Sequence, residues 1–304
     1  MSDTQNAGAT TGGCPYISVI VTTFNRCRLL QSCLDALLDQ EGVPGGREII
    51  VVDDGSRDET ADLLRSLAGR VYSLRQPNRG WAAARNRGAQ AGHGDLLIFV
   101  DDDCLAPPSW LRRYAEVWGA HPEAEAVVGR VACAPGANLA GKVQYQGHVA
   151  IFDRLNAAHG ASYHTSGPVT FGYGANRSIR RAAFERLGGF DERLRYFEDL
   201  DLDLRLQATG ARVWYDPRVV VEHCYRLPAW GRLRAAYYYG RSAIRFGHLH
   251  PEFAYPGGSD GRGWLRVMRG FPEEPAAAKA GYLLVTGLCR GARALGRLAG
   301  QGGR

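Results

Sequence analysis

Five apolar residues, Leu96 to Val100, run without a break into three carboxylates, Asp101, Asp102 and Asp103. A short run rich in Ile, Phe and Val suits a strand covered on both faces by helices, because neither side of its pleat meets water. At the carboxyl end of that strand, three adjacent anions raise one another's cost of ionisation. A hard divalent cation, Mg2+ or Mn2+, removes the cost through oxygen ligands. In open α/β sheets ligands gather outside the carboxyl ends of the strands, which is where these three residues fall. A solvated acidic turn would have the same composition, so the surrounding sequence has to decide.

That sequence repeats the pattern. Ile17 to Phe24 reads as a first strand ended by Asn25-Arg26, and Arg28 to Gln40 places Leu30, Leu34 and Leu37 at helical spacing. After a break at Gly42 to Gly46, Glu48 to Asp53 is a second buried run that also ends in paired carboxylates, Asp53 and Asp54. Ser56-Arg-Asp-Glu59 has the spacing of a capping box and predicts the start of a second helix. Val71 to Leu74 predicts a third strand, and Asn78 to Gly88 a loop entering a third helix. Strand and helix alternating at this spacing mean βαβ units and an α/β, mostly parallel, Rossmann-like sheet flanked by helices. Right-handed crossovers then bring the carboxyl ends of strands one, two and four to one rim, carrying Thr22, Thr23, Asn25, Asp53, Asp54 and Asp101 to Asp103. Neither G-x-G-x-x-G nor a Walker A motif follows the first strand, so a nucleotide would be held some other way.

Composition narrows the class. No apolar run approaches the roughly 18 residues of a membrane span, and the N-terminus lacks an apolar signal core, so the expectation is a cytoplasmic protein. The seven cysteines are scattered without a C-x-x-C pair, which fits reduced thiols better than a disulfide framework. Residues 226–304 hold 13 Lys+Arg against 4 Asp+Glu, a net of +9, whereas the whole chain carries +6. The basic character therefore belongs to the C-terminal quarter. No helix-turn-helix, zinc-finger or RNP pattern accompanies it, so nucleic acid is not expected as a partner.

The order V-I-V-T-T-F-N-R (19–26), V-V-D-D-G-S-R-D-E-T (51–60), N-R-G-W-A-A-A-R-N-R-G (78–88) and F-V-D-D-D (99–103) resembles family 2 glycosyltransferases of the GT-A fold. Gly174-Ala-Asn-Arg-Ser-Ile-Arg-Arg, Gly188-Gly-Phe-Asp-Glu192 and Glu198-Asp-Leu-Asp-Leu-Asp-Leu-Arg205 continue the resemblance, which covers about residues 16–225. It implies a catalytic domain over 16–227, preceded by residues 1–15, whose Ser, Thr, Gly, Ala and Asn with almost no apolar content predict a disordered tail. Within that domain, 16–133 would be the nucleotide-binding half and 134–227 the acceptor half. A basic helical extension over 228–304 completes the chain.

Carried over residue by residue, the resemblance implies that Thr22, Asn25 and Asp54 line the nucleotide-sugar site and that Arg85 helps to hold the base. Asp102 would lie nearest the ribose. Asp103, with Asp101 and His223, would bind the divalent metal that bridges the donor diphosphate. Glu198 and Asp199 match the family's acidic pair beside the acceptor. An inverting transfer needs one base on the face opposite the leaving group, and Asp199 is assigned that role, with Glu198 orienting the acceptor. Asp201 and Asp203 are the alternatives. The implied activity moves a sugar from a nucleoside diphosphate donor to an acceptor the sequence does not identify. A sugar-1-phosphate nucleotidyltransferase or a non-catalytic sugar-nucleotide binder would share the fold class. The former calls for a Gly-rich basic loop after strand one, which Thr22-Thr-Phe-Asn-Arg26 is not, and the latter has no need of a base.

In the C-terminal quarter, Leu233 to Phe246 reads as helical. Ala276 to Ala299 reads as an amphipathic helix with Leu284, Leu288, Leu295 and Leu298 on one face and Lys279, Arg290, Arg293 and Arg297 on another. Its glycines weaken it as an isolated helix, so it needs something to pack on. Docking on the catalytic domain, a homodimer through these helices, and peripheral contact with the inner face of an anionic membrane are the three uses open to it.

Overall fold

A computed structural model describes residues 15–135, 138, 141, 145, 163–165, 174–224, 229–251 and 276–301. Most of the expected N-terminal tail and much of the first part of the expected acceptor half over 134–227 lie outside these residues. The first half alternates as expected: β1 (Ile17–Thr23), α1 (Cys27–Leu38), β2 (Arg47–Asp53), α2 (Thr60–Ser66), β3 (Tyr72–Arg75), α3 (Trp81–Ala91) and β4 (Leu96–Asp101). Leu96 to Val100 are all buried. Then come β5 (Cys104–Leu105), α4 (Trp110–Ala120), β6 (Ala126–Cys133), β7 (Tyr163–Thr165), β8 (Asn176–Arg180), α5 (Arg181–Arg186), α6 (Glu198–Ala208) and β9 (Val213–His223). Two long helices, α7 (Ala229–Leu249) and α8 (Ala276–Gln301), end the described chain.

The strands form one mixed sheet in the order β3-β2-β1-β4-β8-β6-β9-β5, with β7 on β9. Strands β3, β2, β1 and β4 are parallel, and their register sets Thr22 opposite Asp101 and Thr23 opposite Asp53 on one rim. The sheet departs from parallel at β8, inserted antiparallel between β4 and β6, and at β5 and β7, both antiparallel to β9. The β8 residues Asn176, Arg177 and Ser178 are buried yet polar, so no apolar run announces a strand there. Each finds a partner on another element. Asn176 accepts from Trp110 Nε1 and Tyr114 Oη, both at 2.9 Å, and Ser178 accepts from Trp118 Nε1 at 2.9 Å. Arg177 pairs with Asp203 of α6.

The expected capping box does not form. α2 begins at Thr60 with Glu59 at its N-cap and no side-chain cap, while Asp58 accepts from the Thr60 amide at 3.2 Å and from the Cys27 amide at 3.0 Å. Ser56 is drawn off because its Oγ accepts from the Asn25 amide at 2.9 Å.

α7 packs on the start of α6, where Phe246 joins Leu194, Phe197, Leu200 and Leu204 in a small apolar cluster. Tyr239 stacks on Tyr196 with ring centres 4.0 Å apart, and His250 Nε2 lies 2.8 Å from Asp201 Oδ1. α8 in turn lies against α7. A Cβ at Gly296 would collide with the Tyr237 carbonyl, and one at Gly240 with that of Arg293, so these glycines set how closely the two helices approach. Gly296, one of the glycines that weaken α8 alone, thus lets it pack. Among the described residues no helix is long and apolar enough to cross a membrane.

Candidate active site

The acidic rim is held by a cation from the first loop. Nη1 of Arg26 donates to Asp102 Oδ1 and to Asp103 Oδ2, both at 3.0 Å. Thr23 Oγ1 donates to the other Asp102 oxygen at 2.7 Å. Burial, with Asp103 beside it, pushes the Asp102 carboxyl up to about 7 against the pull of Arg26. Arg26 itself holds its proton more firmly than usual, since the attraction of Asp102 and Asp103 outweighs a large opposing burial effect.

The three expected metal ligands are not placed alike. β5 runs antiparallel to β9 with Cys104 opposite His223, which brings His223 Nε2 to 3.2 Å from Asp103 Oδ1. That oxygen is buried and accepts no hydrogen bond. Among the described residues, Asp103, Cys104 and His223 converge with ligand atoms within 4.8 Å of one another. Carboxylate oxygen suits Mn2+ or Mg2+, and the imidazole nitrogen beside it favours Mn2+ of the two. Burial pushes the Cys104 thiol well above its ordinary range, so it makes a poor ligand for a hard ion. The donor set therefore fits a divalent cation on Asp103 and His223. Asp101 is turned elsewhere, accepting from Arg85 Nη2 at 2.7 Å.

Arg85 spans the cleft. Its second terminal nitrogen, Nη1, donates to Glu198 Oε1 at 2.7 Å, so one buried guanidinium joins the carboxyl end of β4 to the first residue of α6. Room for it comes from Gly174, where a Cβ would lie 2.7 Å from Arg85 Nη1. The amide of Gly174 donates to Asp199 Oδ2 at 3.0 Å, and the amide of Leu200 to Asp199 Oδ1 at 2.8 Å. Burial and the adjacent Asp199 push the Glu198 carboxyl up to about 7, opposed by Arg85. Phe197, which precedes this pair, holds a left-handed backbone with φ +73°. Strain of that kind in a non-glycine residue persists where surrounding packing imposes it, here the rings of Phe246 and Tyr239 at 5.3 and 5.4 Å.

The remaining expected residues divide. Asp54 is buried, and its carboxylate accepts from Gln76 Nε2 and from the amides of Arg79 and Gly80, all at 2.8 Å, fixing the loop before α3. Asn25 accepts from the Arg57 amide at 2.7 Å and so ties the ends of β1 and β2 together. Thr22 is buried on the rim beside Asp101. Arg85, expected beside the base, gives both terminal nitrogens to carboxylates instead. Asp201 pairs with Arg205 and His250, and Asp203 with Arg177, so both alternatives to Asp199 are bound into the structure. Sequence reasoning missed Arg26, Gly174 and Phe197. Of these, only Arg26 carried a signal, as the basic residue directly after the first strand in a rim of carboxylates.

Comparison with known proteins bears on this cleft. A sequence model described as "Glycosyl transferase family 2" matches residues 18–188. The validoxylamine A glucosyltransferase of Streptomyces hygroscopicus subsp. limoneus is 30% identical over 223 residues, 64% of this chain and 49% of that protein. The pre-mycofactocin glycosyltransferase of Mycobacterium tuberculosis is 30% identical over 225 residues, 69% of this chain and 44% of that protein. The chain thus spans about half the length of these relatives. Among solved structures, the mannosyltransferase PcManGT from Pyrobaculum calidifontis, in complex with GDP-Man and Mn2+, superposes with a TM-score of 0.55 at 22% identity. The match covers 94% of this chain and 83% of that one.

Proposed function

The chain belongs to glycosyl transferase family 2 and has the GT-A fold, and from that premise we propose that it is an inverting, metal-assisted glycosyltransferase acting on a nucleoside-diphosphate sugar. The observation that carries the reading is the Arg85 bridge, which sets Asp101 on the β4 rim and Glu198 on α6 along one wall. The reaction needs a donor diphosphate and an acceptor hydroxyl to meet, and that wall links the β4 rim, next to Asp103 and His223, to the acidic start of α6. Residues 16–133 form the donor half, 134–227 the acceptor half and 228–304 the helical extension.

In this reading Asp199 is the general base. It stands half-buried at the start of α6, whereas Glu198 is buried and already bound by Arg85. Asp199 takes the proton of the acceptor hydroxyl as that oxygen attacks the anomeric carbon. The bond from that carbon to the phosphate oxygen breaks, and the nucleoside diphosphate leaves from the opposite face. A divalent ion held by Asp103 and His223 would stabilise the charge of the departing diphosphate. Asp102 lies nearest the ribose, Thr22, Asn25 and Asp54 shape the nucleotide pocket, and Arg85 orders its wall. The GDP-Man and Mn2+ of the mannosyltransferase complex support a nucleotide-sugar donor and a divalent ion in general terms.

A melting-temperature panel with UDP, GDP, dTDP and CMP, each with Mn2+, Mg2+ or EDTA, tests the proposal. A ligand that binds only the folded chain at about a hundredfold over its Kd adds about 2.7 kcal/mol of stability. The expected result is a rise for one nucleoside diphosphate that EDTA abolishes. No rise with any nucleotide would overturn the nucleotide-sugar donor, and with it the transferase reading.

A further inference from the structure

Among the described residues, nothing covers the outer face of α8. Leu284, Leu288, Leu295 and Leu298 are 67%, 52%, 62% and 65% exposed, and their spacing returns each to one side of the helix. Gly287, Gly291, Ala294 and Ala299 are exposed on the same side, so no polar side chain interrupts the stripe. Gly296 and Gly300, which meet α7, lie on another side. A stripe of four leucines needs an apolar partner, and charge identifies it. α7 carries four arginines and α8 carries Lys279, Arg290, Arg293 and Arg297, without one Asp or Glu on either helix. A second copy laid stripe to stripe would bring together two helix pairs of like charge, with no acid on either. Gly291, placed midway along the leucine seam, would leave a gap in an interlocked helix pair. Fluid acyl chains fill such gaps, and anionic headgroups supply the missing countercharge.

We propose that α8 lies in the interface of an anionic membrane, with the leucine stripe among the acyl chains and the exposed Arg290 and Arg297 at the headgroups. Because α8 packs on α7 and Phe246 of α7 packs beside Phe197, a seated α8 holds the start of α6 at the lipid surface. The proposal is independent of the transfer reaction and holds whether or not transfer is detected.

The test is co-sedimentation of the full chain with vesicles of pure phosphatidylcholine and of phosphatidylcholine with phosphatidylglycerol. It runs at about 0.1 M and about 0.5 M salt, beside light scattering of the free protein. The expected result is binding to the anionic vesicles at low salt, weakened about tenfold at high salt and on neutral vesicles. The double variant Leu288→Ser/Leu295→Ser should lose a further tenfold or so, since two side chains no longer leave water. Both leucines are exposed, so an unchanged melting temperature is expected and separates lost binding from lost folding. A dimer that the same substitutions dissociate, without vesicle binding, overturns the proposal in favour of a second copy. A monomer that sediments with neither vesicle, or equally with both at either salt, also overturns it.

Discussion

Nη1 of Arg85 on α3 donates to Oε1 of Glu198 on α6 at 2.7 Å, across 113 residues of chain. The bond joins two halves of the sheet that share no local sequence, and it leaves Glu198 buried between Arg85 and the like charge of Asp199.

Stability should therefore depend on pH through Glu198. Its carboxyl is raised from 4.5 to about 7 in the folded chain. A raised acid contributes stability that is fully present below pH 4.5 and is lost as pH rises through about 7, because only the unfolded chain ionises it freely. The facing charges are Arg85, Asp199 and Asp101. Glu198→Gln removes this dependence. Relative to the native chain, the variant's stability should gain about 1–3 kcal/mol between pH 5 and pH 8. Melting curves of both proteins across that range check it, and parallel pH profiles would contradict the assignment. Asp102 titrates in both and cancels.

Arg26 neutralises Asp102 and Asp103, so Arg26→Gln leaves two buried carboxylates without their cation. With Arg26 28% exposed in its side chain, the cost should be about 1–3 kcal/mol rather than that of a fully buried pair. Mn2+ should then raise the melting temperature of the variant by more than that of the native chain, because the ion supplies the missing charge. Asp103→Ala should abolish the difference made by Mn2+ to nucleotide binding. Titrations unaffected by metal in both proteins would remove Asp103 from the ligand set.

Asp199→Asn keeps the size of the side chain and one of its two contacts with the Gly174 and Leu200 amides, since an amide nitrogen cannot accept, but not its basicity. Transfer should fall by about 10²–10⁴-fold while the nucleotide-induced rise in melting temperature stays. Glu198→Gln should cost less. Product assays on the two variants decide between them, and full activity in Asp199→Asn would move the base elsewhere.

The parallel block was legible because its signals are local. Buried strands such as Leu96–Val100 announce themselves by unbroken apolar runs, and α1 by leucines at helical spacing. The rim followed, since residues at strand ends share an edge once the crossovers are right-handed. β8 was not legible as a strand. Its buried Asn176, Arg177 and Ser178 look solvent-facing until Trp110, Trp118 and Asp203 are placed beside them. The capping box at Ser56 failed for a related reason, because the Asn25 amide competes for the same hydroxyl.

By itself the sequence determined the strands and helices of the parallel block and which carboxylates stand at its edge, since hydrophobic period and strand direction depend on neighbours along the chain. Only the tertiary structure decided that Asp103 faces His223, that Asp101 is taken by Arg85, and that Phe197 is held in a left-handed backbone. A buried charge or strained residue is stable only where a distant element supplies its partner. Folding, not spacing, makes those pairs.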